Sequence, residues 1–367
     1  MTERAPNDRE RWFRAPGRVN LIGDHTDYNE GFVLPVAIDL SCIVRATPNE
    51  DGVVRVRSES VDAEVELAAD GGTDPVDVEE VWARYAAGVV GTLAERGRPA
   101  VGMDAVVSST IPLGAGLSSS AALEVALGLA LCDVAGFELH QLELARACQD
   151  AEQVATGVPC GIMDQLTSLA GRHNHALLID CRSLEIQPIR LPPRLAVLIL
   201  HSGVSRGLVD SAYAERRESC EAIAALLGLD SLRDATPELV ADEPRARHVV
   251  SENARVLEAA DALAAGNVAA LGPLLNESHR SLRDDFDVST PELDALAAAL
   301  VEAGAIGARL TGAGFGGCVV GLASRDEADV IVEAAAGRYW SQTGHQPRAY
   351  VFRAVDGAGR IPPQAAT

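Results

Sequence analysis

PLGAGLSSSAA, residues 112–122, places two glycines and three successive serines directly before the apolar, alanine-rich run from Ala121 to Ala135. Met103 to Ser108 alternates in the manner of a strand, so the stretch reads as strand, glycine turn, helix start. A helix start presents unpaired N–H donors and the positive end of the helix dipole, and glycines let a ligand approach the backbone. Two readings follow. Gly114 to Ser120 is either a phosphate cradle or an ordinary serine-capped turn, and the stretch alone does not separate them.

Composition narrows the ligand. The 367 residues are 47% apolar, enough for two domains with full cores. Formal net charge is −22 and no lysine occurs, so every strong cation is arginine. A nucleic-acid or anionic-membrane partner is not expected, because no basic face is available. A Walker-type loop is excluded with its lysine, and any nucleotide must be held by arginine, backbone, hydroxyls and metal. Seven scattered cysteines show neither C-x-x-C nor zinc spacing and read as thiols of a reducing compartment. The start of the chain is charged and no apolar run reaches the length of a membrane span, so a cytoplasmic enzyme is expected.

Residues 1–11 read as loose, and from Trp12 a polar loop leads through RVNLIGDHTDYNEG into strands over Phe32 to Ala46. Further strands are expected at Val53 to Arg57, Glu64 to Leu67, Ala176 to Asp180 and Leu195 to His201. Helical spacing runs through Trp82 to Leu93 and Leu139 to Ala155, with a short helix after the Gly157-Val158-Pro159 break. Beyond Pro192-Pro193 the texture changes to helices over Val209–Leu227, His248–Ala265, Val268–Leu282 and Pro291–Ala303. Strands at Ala308–Thr311 and Cys318–Leu322, a helix near 326–337 and a strand at Arg348–Arg353 close the chain. An α+β protein of two lobes, 1–193 and 194–367, is expected.

Chemistry-bearing residues gather in three places. Arg18 with Asp24, His25, Asp27, Tyr28 and Asn29 packs donors and acceptors suited to a polyol into a short segment. A site that reads hydroxyls this way rejects a sugar epimer by about 10⁴-fold. A solvated turn is the alternative. Asp164 follows the Gly-Pro break with Glu152 twelve positions earlier, a pair that could divide metal binding from proton acceptance beside Arg18. GAGFGG, residues 312–317, matches a dinucleotide fingerprint in letters, but a strand follows it where the fingerprint requires a helix. A glycine turn approaching a ligand or the other lobe fits better.

With these residues in view, the chain resembles the galactokinases, within the GHMP class of small-molecule kinases. The resemblance rests on GRVNLIGDHTDYNEG (17–31), PLGAGLSSSAALE (112–124) and LTGAGFGGCVVGL (310–322). CGIMDQ, LLIDCRSLE, SGVSRGLVDSAY and NESHRSLRDDFDVSTPELDAL support it, so the similarity covers most of 12–353. It implies an N-terminal mixed-sheet lobe and a C-terminal lobe of ferredoxin-like type with the active site between them. It implies transfer of phosphate from ATP to the anomeric oxygen of galactose, with Mg²⁺ as cofactor, in a monomer. By the same resemblance Gly114, Ala115, Gly116, Leu117, Ser118, Ser119 and Ser120 hold the nucleotide phosphates, and Trp82 stacks near adenine. Ser120 and Glu152 take Mg²⁺, Asp164 is the base, and Arg18 stabilises the moving phosphoryl group. Asp24, His25, Thr26, Asp27 and Tyr213 contact the sugar. One residue departs from the pattern: the family has glutamate where this chain has Asp24, a side chain about 1.5 Å shorter. A kinase for N-acetylgalactosamine or arabinose remains an alternative, as does a regulator that binds sugar and ATP without transferring phosphate.

Overall fold

A computed structural model describes residues 9–112, 114–204 and 209–363. The expectations for residues 1–8, for Leu113 and for 205–208 of SGVSRGLVDSAY lie outside the described residues.

The first half runs β1 (Arg11–Asn20), β2 (Phe32–Val33), β3 (Pro35–Asn49), β4 (Val53–Ser58), β5 (Ala63–Ala68), α1 (Val81–Glu95), β6 (Gly102–Ser109), α2 (Ser119–Ala135), α3 (Gln141–Thr156), α4 (Met163–Ala170), β7 (His175–Asp180) and β8 (Ile186–Arg190). The second runs β9 (Leu195–His201), α5 (Val209–Leu226), α6 (Pro244–Ala264), α7 (Leu271–Asp284), α8 (Pro291–Glu302), β10 (Gly307–Thr311), β11 (Cys318–Ser324), α9 (Ala328–Thr343), β12 (Arg348–Phe352) and β13 (Gly359–Ile361). Among the described residues three sheets form, in the orders β13-β1-β3-β6-β4-β5, β10-β11-β9-β12 and β2-β7-β8. Only β4 and β6 pair in parallel in the largest sheet.

Alanine richness explains the middle layer. Helix α2 is buried on nearly every side, since small residues let α1, α3, α4 and strands β1 and β3 pack around it. It ends at Gly136, whose left-handed backbone (φ 61°) closes the last turn. One continuous apolar cluster passes from this layer through Val256 and Ala259 of α6 to Val320 of β11. A second cluster fills the far side of β9 to β12 around Phe286, Leu310 and Tyr339.

Three strands differ from the sequence expectation. The loop expected from Trp12 is instead β1, a central strand between β13 and β3. Its last six residues are all buried, so no alternation betrays it, and the register slips between Pro16 and Arg18. That bulge accommodates the Pro16-Gly17 pair that read as a turn. Strand β8 carries Pro188, tolerated because β8 is an edge. Strand β13 is three residues long and pairs Ile361 with Trp12 across almost the whole chain, so the polypeptide returns to the first sheet, to which it last contributed β6.

Candidate active site

Between the two larger sheets lies a cleft of about 1470 Å³. Gly114, Ala115, Gly116, Ser118, Ser119 and Ser120, on the loop before α2 and its first turn, line it. So do Arg18, Asp24, His25, Asp27, Glu152 and Asp164, together with Trp82 and Tyr213.

The loop before α2 is shaped by left-handed backbone at Gly114, Gly116 and Ser118, with φ of 71°, 75° and 57°. Three successive carbonyls are taken by donors from elsewhere. The Cys318 thiol donates to Ala115 O (2.8 Å), Arg18 Nη1 to Gly116 O (2.8 Å), and the Arg18 backbone N–H to Leu117 O (3.2 Å). With its acceptors tied down, the loop is left to offer donors and hydroxyls to the cleft. Ser118 occupies the N-cap position yet makes no side-chain cap. Its hydroxyl donates to Asp164 Oδ2 instead, which removes the capped-turn reading.

Asp164, in the first turn of α4, is held by Arg18 through two parallel hydrogen bonds of 2.7 Å. Arg18 reaches it from β1, where it is 7% exposed. Behind this pair, Ser120 Oγ donates to Glu152 Oε1 (2.7 Å) and Gln165 Nε2 to Glu152 Oε2 (2.6 Å). Burial, then the charge of Asp164, pushes the Glu152 carboxyl up. Gln165 also donates to Glu124 (3.2 Å), a fully buried acid on α2 that burial and then Glu152 push well up. Gln165 and Glu124 lie in the stretches CGIMDQ and PLGAGLSSSAALE, but their spacing from Glu152 carries no recognisable period that would assign either a role.

Among the described residues no three His, Cys, Asp or Glu side chains gather into a metal cage. Ser120 and Glu152 nevertheless present adjacent oxygen donors, which suits Mg²⁺, an ion that keeps waters and takes its remaining ligands from phosphates.

On the opposite wall the GDHTDYN turn folds over itself. His25 packs against Phe286 and Tyr213, with ring centroids 4.6 and 5.7 Å away, and its Nδ1 meets Tyr28 Oη at 2.9 Å. Burial, reinforced by His248, lowers the His25 pKa to about 3, so the ring is neutral near pH 7. Burial and then Asp164 raise Asp27 to about 6. A Cβ at Gly161 would collide with the Asp27 carboxylate, which explains glycine there. Asp24 is 2% exposed, and its Oδ1 accepts the Gly312 N–H (3.0 Å), so the GAGFGG turn does touch the first lobe.

Two expected contacts lie off the cleft. Thr26 is fully buried and spends its hydroxyl on Gly23 O and Phe32 O, bracing the turn rather than facing a ligand. The Leu117 side chain enters the core at 1% exposure. Conversely His201, Arg348 and Tyr350 line the cleft without having been singled out, because strands β9 and β12 reach it only through sheet pairing.

Comparison with known proteins agrees with this layout. The galactokinase galactose-binding signature matches residues 3–48, and the N-terminal and C-terminal domains of GHMP kinases match 84–172 and 259–342. A galactokinase of Roseiflexus sp. (strain RS-1) is 46% identical over 366 residues, covering 95% of this chain and 92% of that one. The chain belongs to the galactokinase family. Galactokinases are kinases and use ATP as phosphoryl donor, so membership makes this protein a phosphotransferase. Galactokinase from Lactococcus lactis, solved in complex with galactose, superposes with a TM-score of 0.90 at 33% identity, covering 96% of each chain. Mevalonate kinase of Methanococcus jannaschii superposes at 0.70 with 19% identity, covering 96% of this chain and all of that one, and shows the shared GHMP kinase fold. Among the described residues no helix is long and apolar enough to cross a membrane.

Proposed function

We propose that this chain transfers the γ-phosphoryl group of ATP to the anomeric oxygen of galactose, giving α-galactose 1-phosphate and ADP. One observation carries the reading: Asp164 sits where the two walls of the cleft meet, gripped by Arg18 and Ser118 on the phosphate-loop side, with Asp27 close enough across from it to feel its charge. Asp164 accepts the proton of the anomeric hydroxyl as its oxygen bonds to the γ-phosphorus and the bond to the β–γ bridging oxygen breaks. Arg18, which grips Asp164, would offset the charge on the moving group. A loose phosphoryl transition state asks for positioning and charge neutralisation more than covalent chemistry.

The remaining roles follow the walls. Gly114 to Ser120 take the triphosphate at the start of α2, and Trp82, whose buried Nε1 has no hydrogen-bond partner among the described residues, lies against adenine. Ser120 and Glu152 hold Mg²⁺, which when bound neutralises phosphate charge. Asp24, His25, Asp27 and Tyr213 read the sugar, with His25 as a neutral partner. Segments 1–193 and 194–367 act as the two lobes, except that β13 rejoins the first beside β1, in a cytoplasmic monomer without nucleic-acid or membrane partners.

The test is purified protein with Mg-ATP and a panel of galactose, N-acetylgalactosamine, arabinose and glucose, following ADP release and locating the phosphate by ³¹P and ¹³C NMR. Galactose turnover with phosphate on C1 is expected. No ADP above background with galactose refutes the reading, and faster turnover of another sugar reassigns the substrate.

A further inference from the structure

Arg309 on β10 is wholly buried, an uncommon place for a guanidinium. It stands between two carboxylates. Nη2 lies 2.5 Å from Asp24 Oδ2 and 3.8 Å from Glu252 Oε1, and Nη1 donates to Leu21 O at 3.2 Å. Glu252, on α6 and also fully buried, accepts from the Gly23 N–H (3.0 Å), Ser278 Oγ (2.6 Å) and Arg255 Nε (2.8 Å). His248 meets Asp24 O at 3.2 Å. The Leu21–Asp24 turn is therefore held at successive backbone atoms by α6 and β10, with Arg309 as the group common to both carboxylates.

The ion pair to Asp24 is short but oblique. Asp24 Oδ2 and Arg309 Nη2 and Nε make no hydrogen bond of good geometry among the described residues. Asp24 Oδ2 is thus held by the charge of Arg309 and not by a directed hydrogen bond, on a residue that lines the cleft, while its other oxygen is fixed by Gly312. Burial pushes the Asp24 carboxyl up, and the Arg309 and Arg18 charges oppose that push. Without Arg309 two buried anions would face each other, and Asp24 could take a proton or swing away.

Resting on the proposed function, we propose that Arg309 is a positioning residue for sugar recognition: it holds the Asp24 carboxylate as a fixed acceptor, so that one sugar hydroxyl is read through it. An acceptor held this way discriminates against sugars that lack the donor, because the buried oxygen is then left unpaired. Asp24 is the member of the sugar wall shortened relative to the family pattern, so its placement depends on what stands behind it.

The experiment measures KM and kcat for galactose, for its four singly deoxygenated analogues at C2, C3, C4 and C6, and for ATP, in the native protein, Asp24→Asn, Arg309→Met, the double variant and Arg309→Lys. Native turnover of galactose comes first; its absence refutes the proposed function, a separate failure. With turnover established, Arg309→Met should raise KM for galactose about tenfold while KM for ATP stays within about twofold. The deoxy sugar indifferent to Asp24→Asn should be the same one indifferent to Arg309→Met. The double variant should add nothing further, and Arg309→Lys should recover part of the loss by restoring the charge. Equal losses for every sugar and for ATP, or additive losses in the double variant, overturn the inference. Should Arg309→Met fail to fold, Arg309→Lys carries the same comparison, because its single ammonium cannot keep both the Leu21 and Asp24 contacts.

Discussion

Arg18 and Asp164 meet as a parallel fork, Nε to Oδ1 and Nη2 to Oδ2, each at 2.7 Å, across 146 positions of sequence. The fork brings the proposed proton acceptor and the proposed phosphoryl-stabilising cation into one rigid unit. Gly116 O and the Arg18 backbone tie that unit to the loop before α2, the proposed phosphate site. Substitution on either side therefore disturbs geometry as well as charge.

Asp164→Asn keeps the shape of the side chain and removes its capacity to accept a proton as an ionised carboxylate. kcat should fall by about 10²- to 10⁴-fold, far more than galactose affinity changes, while the melting temperature drops because the amide cannot keep both bonds of the part-buried fork. Steady-state kinetics with calorimetric titration of galactose check this. A variant with near-native kcat would show that Asp164 is not the base.

Ser118→Ala separates a cap from a catalytic neighbour. An N-cap serine replaced by alanine costs about 1 kcal/mol of stability. The Ser118 hydroxyl points to Asp164 rather than to the helix, so the loss should appear in kcat, by about 10-fold or more, with little change in thermal stability. Melting curves alongside kinetics decide between the two.

Asp27, with a pKa raised to about 6 from the ordinary 3.8, should give kcat/KM for galactose an inflection near pH 6, falling on the acid side as the carboxylate gains its proton. The sign for stability is opposite. The folded protein binds this proton more tightly than the unfolded chain, so the contribution of Asp27 to stability is fully present below 3.8 and is lost as pH rises through about 6. Asp27→Asn should flatten both profiles. His25, held near 3, should show no titration at its ordinary 6.5, which imidazole NMR shifts would record.

Cys318→Ala removes the thiol that donates to Ala115 O and should loosen the phosphate loop from the second lobe. KM for ATP is expected to rise about threefold to tenfold with KM for galactose nearly constant, and Cys318→Ser should recover most of the loss. Equal changes for both substrates would point to a packing defect instead.

Much of the fold could be read from the chain alone. Helical spacing from Trp82 to Leu93 and from Leu139 to Ala155 became α1 and α3, and the apolar, β-branched run after Phe32 became β2 and β3. Strand β1 was hidden because burial on both faces erases alternation and a bulge absorbs its Pro-Gly pair. Within the site, the glycine-serine stretch and the polar GDHTDYN turn stood out by composition. Thr26 stood out equally and proved to brace its own turn, since residue type does not say where a hydroxyl points.

By itself the sequence determined that no lysine would be available to any ligand, that a glycine turn would feed a helix, and that two carboxylates and an imidazole would crowd one tight polar turn. These depend on residue identity and on backbone preferences acting over a few positions. Only tertiary structure decided that Ser118 would meet Asp164, that the Cys318 thiol would hold the loop's carbonyl, and that Arg309 would stand between Asp24 and Glu252. Such pairings join positions far apart in the chain. They form because a charge or donor carried into the core must find a partner there, and which partner it finds is set by how the sheets and helices pack.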